Sequence, residues 1–462
     1  MSDPERSAAD ERRARRERRA REQLAHPARL IAVGFGLAVF TGTVLLSIPF
    51  ATERGERASF VDALFTGTSS VCVTGLAIVD TGGEWSTFGE VVIMLLMQVG
   101  GLGIMTLATI VAMILSRRLG LRARLLVQAE TRTLRLQDVR VVLRGIILYS
   151  LCVEVVVTAI LTVRFATHYD MSWGRAAYDG LFHAISAFNS GGLSLYSDGM
   201  SRFVRDPIVS LTVSLAVLLG SLGYLVFFEL RRNWRRPREW SVFTQLTLGV
   251  TAVLVVLGTT LLTVAEWKNP RTFGPLDVPD KLIAGFFASV MPRSGGLNSV
   301  DIGGMSDESL LVQTALMFIG GGSASTAGGI KVTTFGLLAF VIWAEMRGEA
   351  KVVIGRRAIP EANQRQALAV ALLGIGLVMT GTLVLLGLSD YPLDRVLFEA
   401  TSAFGTVGLS TGITPDLDRA AQLVLVALMF VGRIGPLTLA SALALRERDR
   451  RYEYPEERTI VG

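Results

Sequence analysis

Leu397-Phe-Glu-Ala-Thr-Ser-Ala-Phe-Gly-Thr-Val-Gly-Leu-Ser-Thr411 is too short and too rich in small residues to cross a bilayer, yet membrane-length apolar runs flank it. A helix-like run ends in Gly405-Thr-Val-Gly408, where side-chain bulk is low and backbone is exposed. Within a membrane, irregular backbone is tolerated only where protein buries it or where it lines a water-filled path. The stretch is therefore a candidate for the working part of a pore.

Composition supports a membrane setting. Half of the 462 residues are hydrophobic, and apolar runs long enough to cross about 30 Å of hydrocarbon recur along the chain. Cys72 and Cys152 are too few for a disulfide framework or a four-cysteine zinc site, and only three histidines are present. The net charge of +6 comes from arginines clustered beside apolar runs, the mark of cytoplasmic loops rather than of a nucleic-acid surface.

Eight spans are expected, at about 30–50, 89–115, 145–164, 207–230, 242–266, 308–345, 366–388 and 419–445. After every second span comes a basic stretch: Arg117 to Arg124, Arg231 to Arg238, Arg347 to Arg357, and Arg446 to Arg451. The positive-inside rule places these stretches and both termini in the cytoplasm. The four outer connections each contain a half-apolar segment too short to cross, so each unit reads as span, re-entrant segment, span. The expected layout is a basic cytoplasmic tail (1–29), repeat 1 (30–115), a cytoplasmic linker (116–144), repeat 2 (145–230), repeat 3 with a broken sixth span (242–345), repeat 4 (366–445) and a C-terminal tail (446–462). The tail arginines, Arg12 to Arg21, suit either a helix lying near anionic lipid head groups or a solvated extension. A cleaved signal peptide is disfavoured, because the apolar run that follows is too long.

The four re-entrant segments align. Phe65, Phe182, Phe286 and Phe398 each stand ten residues before Gly75, Gly192, Gly296 and Gly408, and leucine follows each glycine. Ser69, Ser186 and Ser402 share one position between them. Self-similarity at this period indicates repeated architecture. Four short helices with converging C-termini favour a cation at their focus. The carbonyls that follow can replace a cation's hydration shell. No ring of carboxylates flanks the glycines, whose preceding neighbours are Thr74, Gly191, Gly295 and Val407. Selection by carbonyls points to a large, weakly hydrated monovalent cation, potassium first, with rubidium and some sodium passage not excluded by size.

Val73-Thr-Gly-Leu76, Asn189-Ser-Gly-Gly-Leu193, Met291-Pro-Arg-Ser-Gly-Gly-Leu297 and Ala403-Phe-Gly-Thr-Val-Gly-Leu409 resemble the four filter segments of the Trk/Ktr/HKT potassium transporter superfamily, the bacterial Ktr membrane subunits above all. The resemblance covers about residues 30–445. It implies an all-α polytopic membrane protein of eight transmembrane helices, in four pseudo-symmetric helix–pore loop–helix repeats around one central pore, and not an enzyme. The implied filter comprises Val73, Thr74, Gly75, Ser190, Gly191, Gly192, Ser294, Gly295, Gly296, Thr406, Val407 and Gly408, with potassium at the four repeat glycines. Sodium-selective plant relatives place serine at the first of these, so four glycines imply potassium. Gly191 and Gly295 depart from the alanine common in the family, and leucine replaces an occasional phenylalanine after the second and third glycines. The Trk branch normally adds two N-terminal spans, for which no apolar sequence stands here.

The resemblance also implies potassium uptake at the plasma membrane by a homodimer in contact with lipid. A cytosolic ring of RCK-type subunits, KtrA-like, would regulate it, and ATP or ADP would bind only to that partner. Sodium stimulation is known in the family, but no residue here reads as its site. A Trk-type transporter with another regulatory partner, and a secondary solute carrier with a midplane site, are the alternatives. A carrier would show two inverted halves rather than four units of one sense.

Gly320-Gly-Gly-Ser-Ala-Ser-Thr-Ala-Gly-Gly-Ile-Lys331 interrupts the sixth span. A phosphate-binding loop is disfavoured, because Gly-Lys-Ser/Thr is absent and no strand precedes. Close packing through small residues and a flexible break beneath the filter both remain open. The resemblance implies an intramembrane gate built from Gly320, Gly321, Gly322, Ser323, Ala324, Ser325, Thr326, Ala327, Gly328, Gly329, Lys331 and Arg433. Arg433 stands within the eighth span, where a charge faces partners or water; a structural ion pair is the plainer reading. Asn189 and Arg293 are expected to brace the filter. Asp62 and Asp179 are expected near helix starts, held by the helix dipole. Glu399 and His183 read as internally hydrogen-bonded, and Gln98 with Gly100 to Gly103 as helix packing.

Overall fold

The computed structural model describes residues 27–118, 139–355 and 357–444. Most of the basic N-terminal tail, Arg122, Arg124, Arg356 and Arg446 to Arg451 lie outside the described residues.

The described chain is mostly helical. In order run α1 (Pro27–Leu46), α2 (Phe60–Cys72), α3 (Thr81–Glu84), α4 (Thr87–Arg118), α5 (Val139–His168), α6 (Trp173–Asn189), α7 (Pro207–Leu222) and α8 (Tyr224–Asn233). Then come α9 (Val242–Glu266), α10 (Val278–Val290), α11 (Asp307–Phe318), α12 (Val332–Met346), α13 (Glu361–Gly387), α14 (Leu393–Gly405) and α15 (Arg419–Ala444). A minimal hairpin pairs Val353 with Ala358 and Ile354 with Arg357 between α12 and α13.

Among the described residues, four helices contain runs long and apolar enough to cross a membrane: Thr87–Thr106 within α4, Val141–His168 within α5, α9 and α13. Their outer faces carry Val155, Val253, Val256, Leu372 and Leu383, all exposed. Contiguous apolar exposure of this kind marks a lipid-facing surface rather than a water-facing one. The run expected as one span at 207–230 is instead two helices, α7 and α8, bent by 93°. Its cause is Gly223, which joins them at φ +84°, a conformation residues with a Cβ avoid. The run expected as a broken sixth span, 308–345, holds two helices, α11 and α12, joined by the segment 319–331.

Serine caps start α2 and α6. Ser59 accepts from the Asp62 N–H at 3.2 Å, and Ser172 from the Arg175 N–H at 3.4 Å. The four short helices α2, α6, α10 and α14 form the interior. Phe65, Phe182 and Phe398 are fully buried, whereas Phe286 is half-buried and Phe287 takes the inner place. Each short helix packs on a helix before it: α2 on α1, α6 on α5, α10 on α9 and α14 on α13. Each also packs on a helix of another unit: α6 on α4, α10 on α7, α14 on α11, and α2 on α15. The last of these contacts closes a ring from the end of the chain to its beginning.

Candidate ion-conducting site

The loops after α2, α6, α10 and α14 repeat one backbone pattern. Val73, Ser190, Ser294 and Thr406 have φ of +54°, +65°, +77° and +46°. Two residues on, Gly75, Gly192, Gly296 and Gly408 have φ of +96°, +68°, +71° and +97°, and the residue between is never positive. A positive φ costs a non-glycine residue about 1–3 kcal/mol unless its surroundings impose it. Its presence in all four loops marks a constrained device. The same alternation in the sign of φ recurs in each loop.

The glycines also meet one another. A Cβ on Gly75 would lie 2.6 Å from the Gly192 Cα, and one on Gly192 would lie 3.0 Å from the Cα of both Gly75 and Gly296. On Gly408 it would lie 2.8 Å from the Gly75 Cα and overlap the Thr74 carbonyl oxygen; on Gly296 it would overlap that of Val407. Four loops thus close into one ring, and both space and backbone angle demand glycine at each corner. Gly191 and Gly295, one step before, face Met97 and Met291 sulfurs rather than the ring.

Side chains behind the ring hold it. Ser69 Oγ accepts from the Gly75 N–H at 3.0 Å and donates to the Leu76 carbonyl at 2.7 Å. Ser186 donates to the Leu193 carbonyl at 2.7 Å, and Ser402 accepts from the Gly408 N–H at 3.1 Å. The third segment has Val290 at this position and no such bond. Leu76, Leu193, Leu297 and Leu409 are all buried and anchor the far ends of the loops. Glu399 accepts from Ser410 Oγ at 2.7 Å, the Thr411 N–H at 2.8 Å and Thr414 Oγ1 at 2.8 Å, pinning the chain beyond Gly408. His183 bridges the Asp179 carbonyl and Ser194 Oγ at 2.7 and 3.0 Å.

One face of the ring opens into a cavity of about 450 Å³, lined by the four glycines together with Asp80, Tyr196, Asn298, Asp301 and Ser410. The other face is covered by the loop between α11 and α12. There Thr326 Oγ1 meets Ser190 Oγ at 3.0 Å, and the Gly328 N–H donates to Ser294 Oγ at 3.1 Å. Ser294 Oγ in turn donates to the Thr406 carbonyl at 2.9 Å. The loop sits on the α7–α8 elbow: the Gly322 N–H donates to the Ser221 carbonyl at 2.7 Å, and the Thr326 N–H to the Gly220 carbonyl at 3.3 Å. A Cβ on Gly223 would lie 2.7 Å from the Ala324 carbonyl oxygen. Within the loop, Ser325 Oγ donates to the Gly322 carbonyl at 2.6 Å, and Ser323 pairs with Thr333 at 2.9 Å. Gly320, Gly321 and Gly329 keep it against the Gly328 carbonyl, Ser221 and Gly405 respectively.

Two cations reach this loop. Arg433 is buried and donates from Nη1 to the Thr326 carbonyl at 2.6 Å. Lys331 Nζ donates to the Ala327 carbonyl and, at 3.3 Å, to that of Gly328. No carboxylate pairs with Arg433 among the described residues, so the plainer ion-pair reading gives way to a carbonyl-bound guanidinium. The hydroxyls of Thr74 and Thr406 are buried beside the ring without a hydrogen-bond partner. Unpartnered oxygen donors at this position suit a cation substrate.

Other expectations fare unevenly. Asp62 keeps its place in the first turn of α2 and pairs with Arg419. Asp179 does not lie at a helix start, because α6 begins six residues earlier at Trp173; Arg175 and Tyr196 hold its carboxylate at 2.8 Å each. Arg293 is buried at the third segment and donates to Thr251 at 3.1 Å. Gln98 does more than pack: with Asn189 it binds Glu154, which the reading of motifs passed over. The signal was present, since Glu154 is the one charge between Arg144 and Arg164.

The family model of the cation transport protein TrkH matches residues 16–453. The chain is 39% identical over 436 residues to the Ktr system potassium uptake protein B of Bacillus subtilis, covering 94% of this chain and 97% of that one. It is 36% identical to the protein of the same name from Vibrio alginolyticus, over 94% of each chain. With the potassium/sodium uptake protein NtpJ of Enterococcus hirae it shares 32% identity, over 94% and 97% of the two chains. Its fold is similar to that of the potassium transporter TrkH from Vibrio parahaemolyticus, with a TM-score of 0.66, 18% identity, and 88% and 84% of the two chains covered. The chain belongs to the TrkH family of cation transport proteins, alongside the Ktr uptake proteins.

Proposed function

We propose that this protein takes up potassium across the plasma membrane through a carbonyl-lined filter. Eight membrane crossings form four pseudo-symmetric units around one path, with α2, α6, α10 and α14 as pore helices and both termini in the cytoplasm. The observation that carries the reading is the closed glycine ring, with the same alternation of φ in all four loops. Dipoles of four helix C-termini favour a cation there, and the membrane potential draws it inward with about 2.3 kcal/mol per charge per 100 mV.

Val73, Thr74, Gly75 and their counterparts replace the ion's water, and Thr74 and Thr406 add hydroxyl oxygens. The 320–331 loop closes the inner face as a gate, with Arg433 and Lys331 holding its carbonyls and repelling a cation beneath the ring. A nucleotide-binding RCK-type subunit, docked at the cytoplasmic loops of a homodimer, sets the position of that gate. The Ktr names of the relatives support a second subunit in the system. Sodium is a second candidate cation, on the pattern of the Enterococcus relative.

Gly408→Ser tests the reading in a potassium-auxotrophic host at low external potassium. The expected result is impaired growth with loss of potassium-over-sodium discrimination. Unchanged affinity and selectivity in a correctly inserted variant would sink the filter assignment.

A further inference from the structure

Glu154 is a buried carboxylate midway along α5, flanked along the sequence by apolar residues. An ionisable group at such depth is costly and calls for a role and a named partner. Its Oε1 accepts from Ser150 Oγ at 2.8 Å, Gln98 Nε2 at 3.0 Å and Asn189 Nδ2 at 3.1 Å; Oε2 accepts from Gln98 Nε2 at 3.2 Å. Among the described residues, these amides and this hydroxyl take the place of a basic partner. Three side chains thus direct donors at one carboxyl group and occupy its acceptor sites.

The network ends on the filter. Asn189 is the last residue of α6, directly before Ser190, whose positive φ opens the second loop. The two hydrogens of its amide nitrogen are shared among that carboxylate, Gln98 Oε1 at 2.8 Å and the Ile185 carbonyl at 3.1 Å. A Cβ on Gly101 would overlap Asn189 Oδ1, so α4 closes the remaining side. Of the positions three before the other glycines, Cys72 and Gly405 offer no amide, and Arg293 donates to the Thr251 hydroxyl at 3.1 Å rather than to a carboxylate. An amide held by a buried carboxylate is therefore found, among the described residues, at the second segment and not at the other three.

We infer that Glu154 is a positioning residue for ion selection: through Asn189 it fixes the second filter segment and so supports discrimination between potassium and sodium. This rests on the filter reading above. A glutamine at 154 keeps the size but presents an N–H to donors, so at least one of the contacts must open and the Asn189 carboxamide loses its fixed orientation. Leaving a buried polar group without its hydrogen bond then lowers discrimination by about tenfold.

The test measures rubidium and sodium uptake into proteoliposomes for Glu154→Gln, Glu154→Asp, Asn189→Ala, the double variant Glu154→Gln/Asn189→Ala, and Gly192→Ser. The expected result is a roughly tenfold lower rubidium-to-sodium ratio for Glu154→Gln, partial rescue by aspartate, and no further loss when Glu154→Gln is added to Asn189→Ala. If Gly192→Ser lowers the ratio while Glu154→Gln leaves it at the wild-type value, this inference fails and the filter reading stands. Additive losses in the double variant would also overturn it, since action through Asn189 would then be absent. If Gly192→Ser itself changes nothing, the filter reading falls instead. Should Glu154→Gln fail to insert, Ser150→Ala and Gln98→Leu remove single donors with the carboxylate kept; a wild-type ratio in both overturns the proposal.

Discussion

Arg433→Gln isolates the gate from the filter. In the wild type the guanidinium is buried and makes one protein hydrogen bond, Nη1 to the Thr326 carbonyl at 2.6 Å; Nε and Nη2 have no protein partner among the described residues. A hydrogen bond involving a charged group contributes about 1.5–3 kcal/mol. Removing the positive charge also eases repulsion of a potassium ion at the inner face, which works in the same direction. Taking the lower bound, the open population of the loop rises roughly tenfold, since about 1.4 kcal/mol is one decade. Other contacts limit the effect: Thr326 still donates to the Gly220 and Phe188 carbonyls, and Lys331 still holds Gly328. The assay is initial rubidium uptake into potassium-loaded proteoliposomes, normalised to inserted protein. The expected result is an uptake rate about ten times higher at an unchanged rubidium-to-sodium ratio. A rate equal to or below the wild type, or a changed ratio at constant rate, would refute the division between a selecting ring and a closing loop.

Three further outcomes follow from the same geometry. Ser402→Ala leaves the buried Gly408 N–H without its acceptor at 3.1 Å, a loss of about 1–3 kcal/mol that should lower potassium-over-sodium discrimination in flux assays. Val290→Ser, at the equivalent position of the third segment where no hydroxyl exists, should leave discrimination far less affected. Gly223→Val forces a β-branched residue to φ +84° and a Cβ to 2.7 Å from the Ala324 carbonyl; thermal unfolding in detergent should fall by several degrees and basal rubidium flux should rise as the loop leaves its seat.

The ring was legible in the sequence because it is written four times. One glycine in a small-residue loop says little, but Phe, Gly and Leu at the same offsets in four segments place the ring before any coordinates. The serine shared by three segments was likewise visible; its double use, toward the glycine N–H and the following leucine carbonyl, required the fold. The elbow at Gly223 was hidden because a glycine inside an apolar run is ordinary in membranes, where small residues serve helix packing. Its conformation is set by the loop it touches, one hundred residues further on. Asp179 was misplaced because the cap that starts α6 is Ser172, upstream of the apolar periodicity. Glu154 was visible as a lone charge, yet its meaning lies in Gln98 and Asn189, 56 and 35 residues away, and no local pattern links them.

Arg433 shows the converse case. Its depth in the last span was plain, and two readings were open: a structural ion pair or a place in the gate. The fold gives it the gate loop instead: the chain after α11 turns at Ala324, φ +57°, and the Thr326 carbonyl oxygen meets the guanidinium.

The central claim is that the four glycine segments hold the transported cation. Crystals grown with thallium in place of potassium test it most directly, by anomalous scattering. The account requires anomalous density on the axis of the ring formed by Gly75, Gly192, Gly296 and Gly408, lost or displaced in Gly408→Ser. A thallium site elsewhere in the protein, with the ring empty at saturating ion, would contradict it.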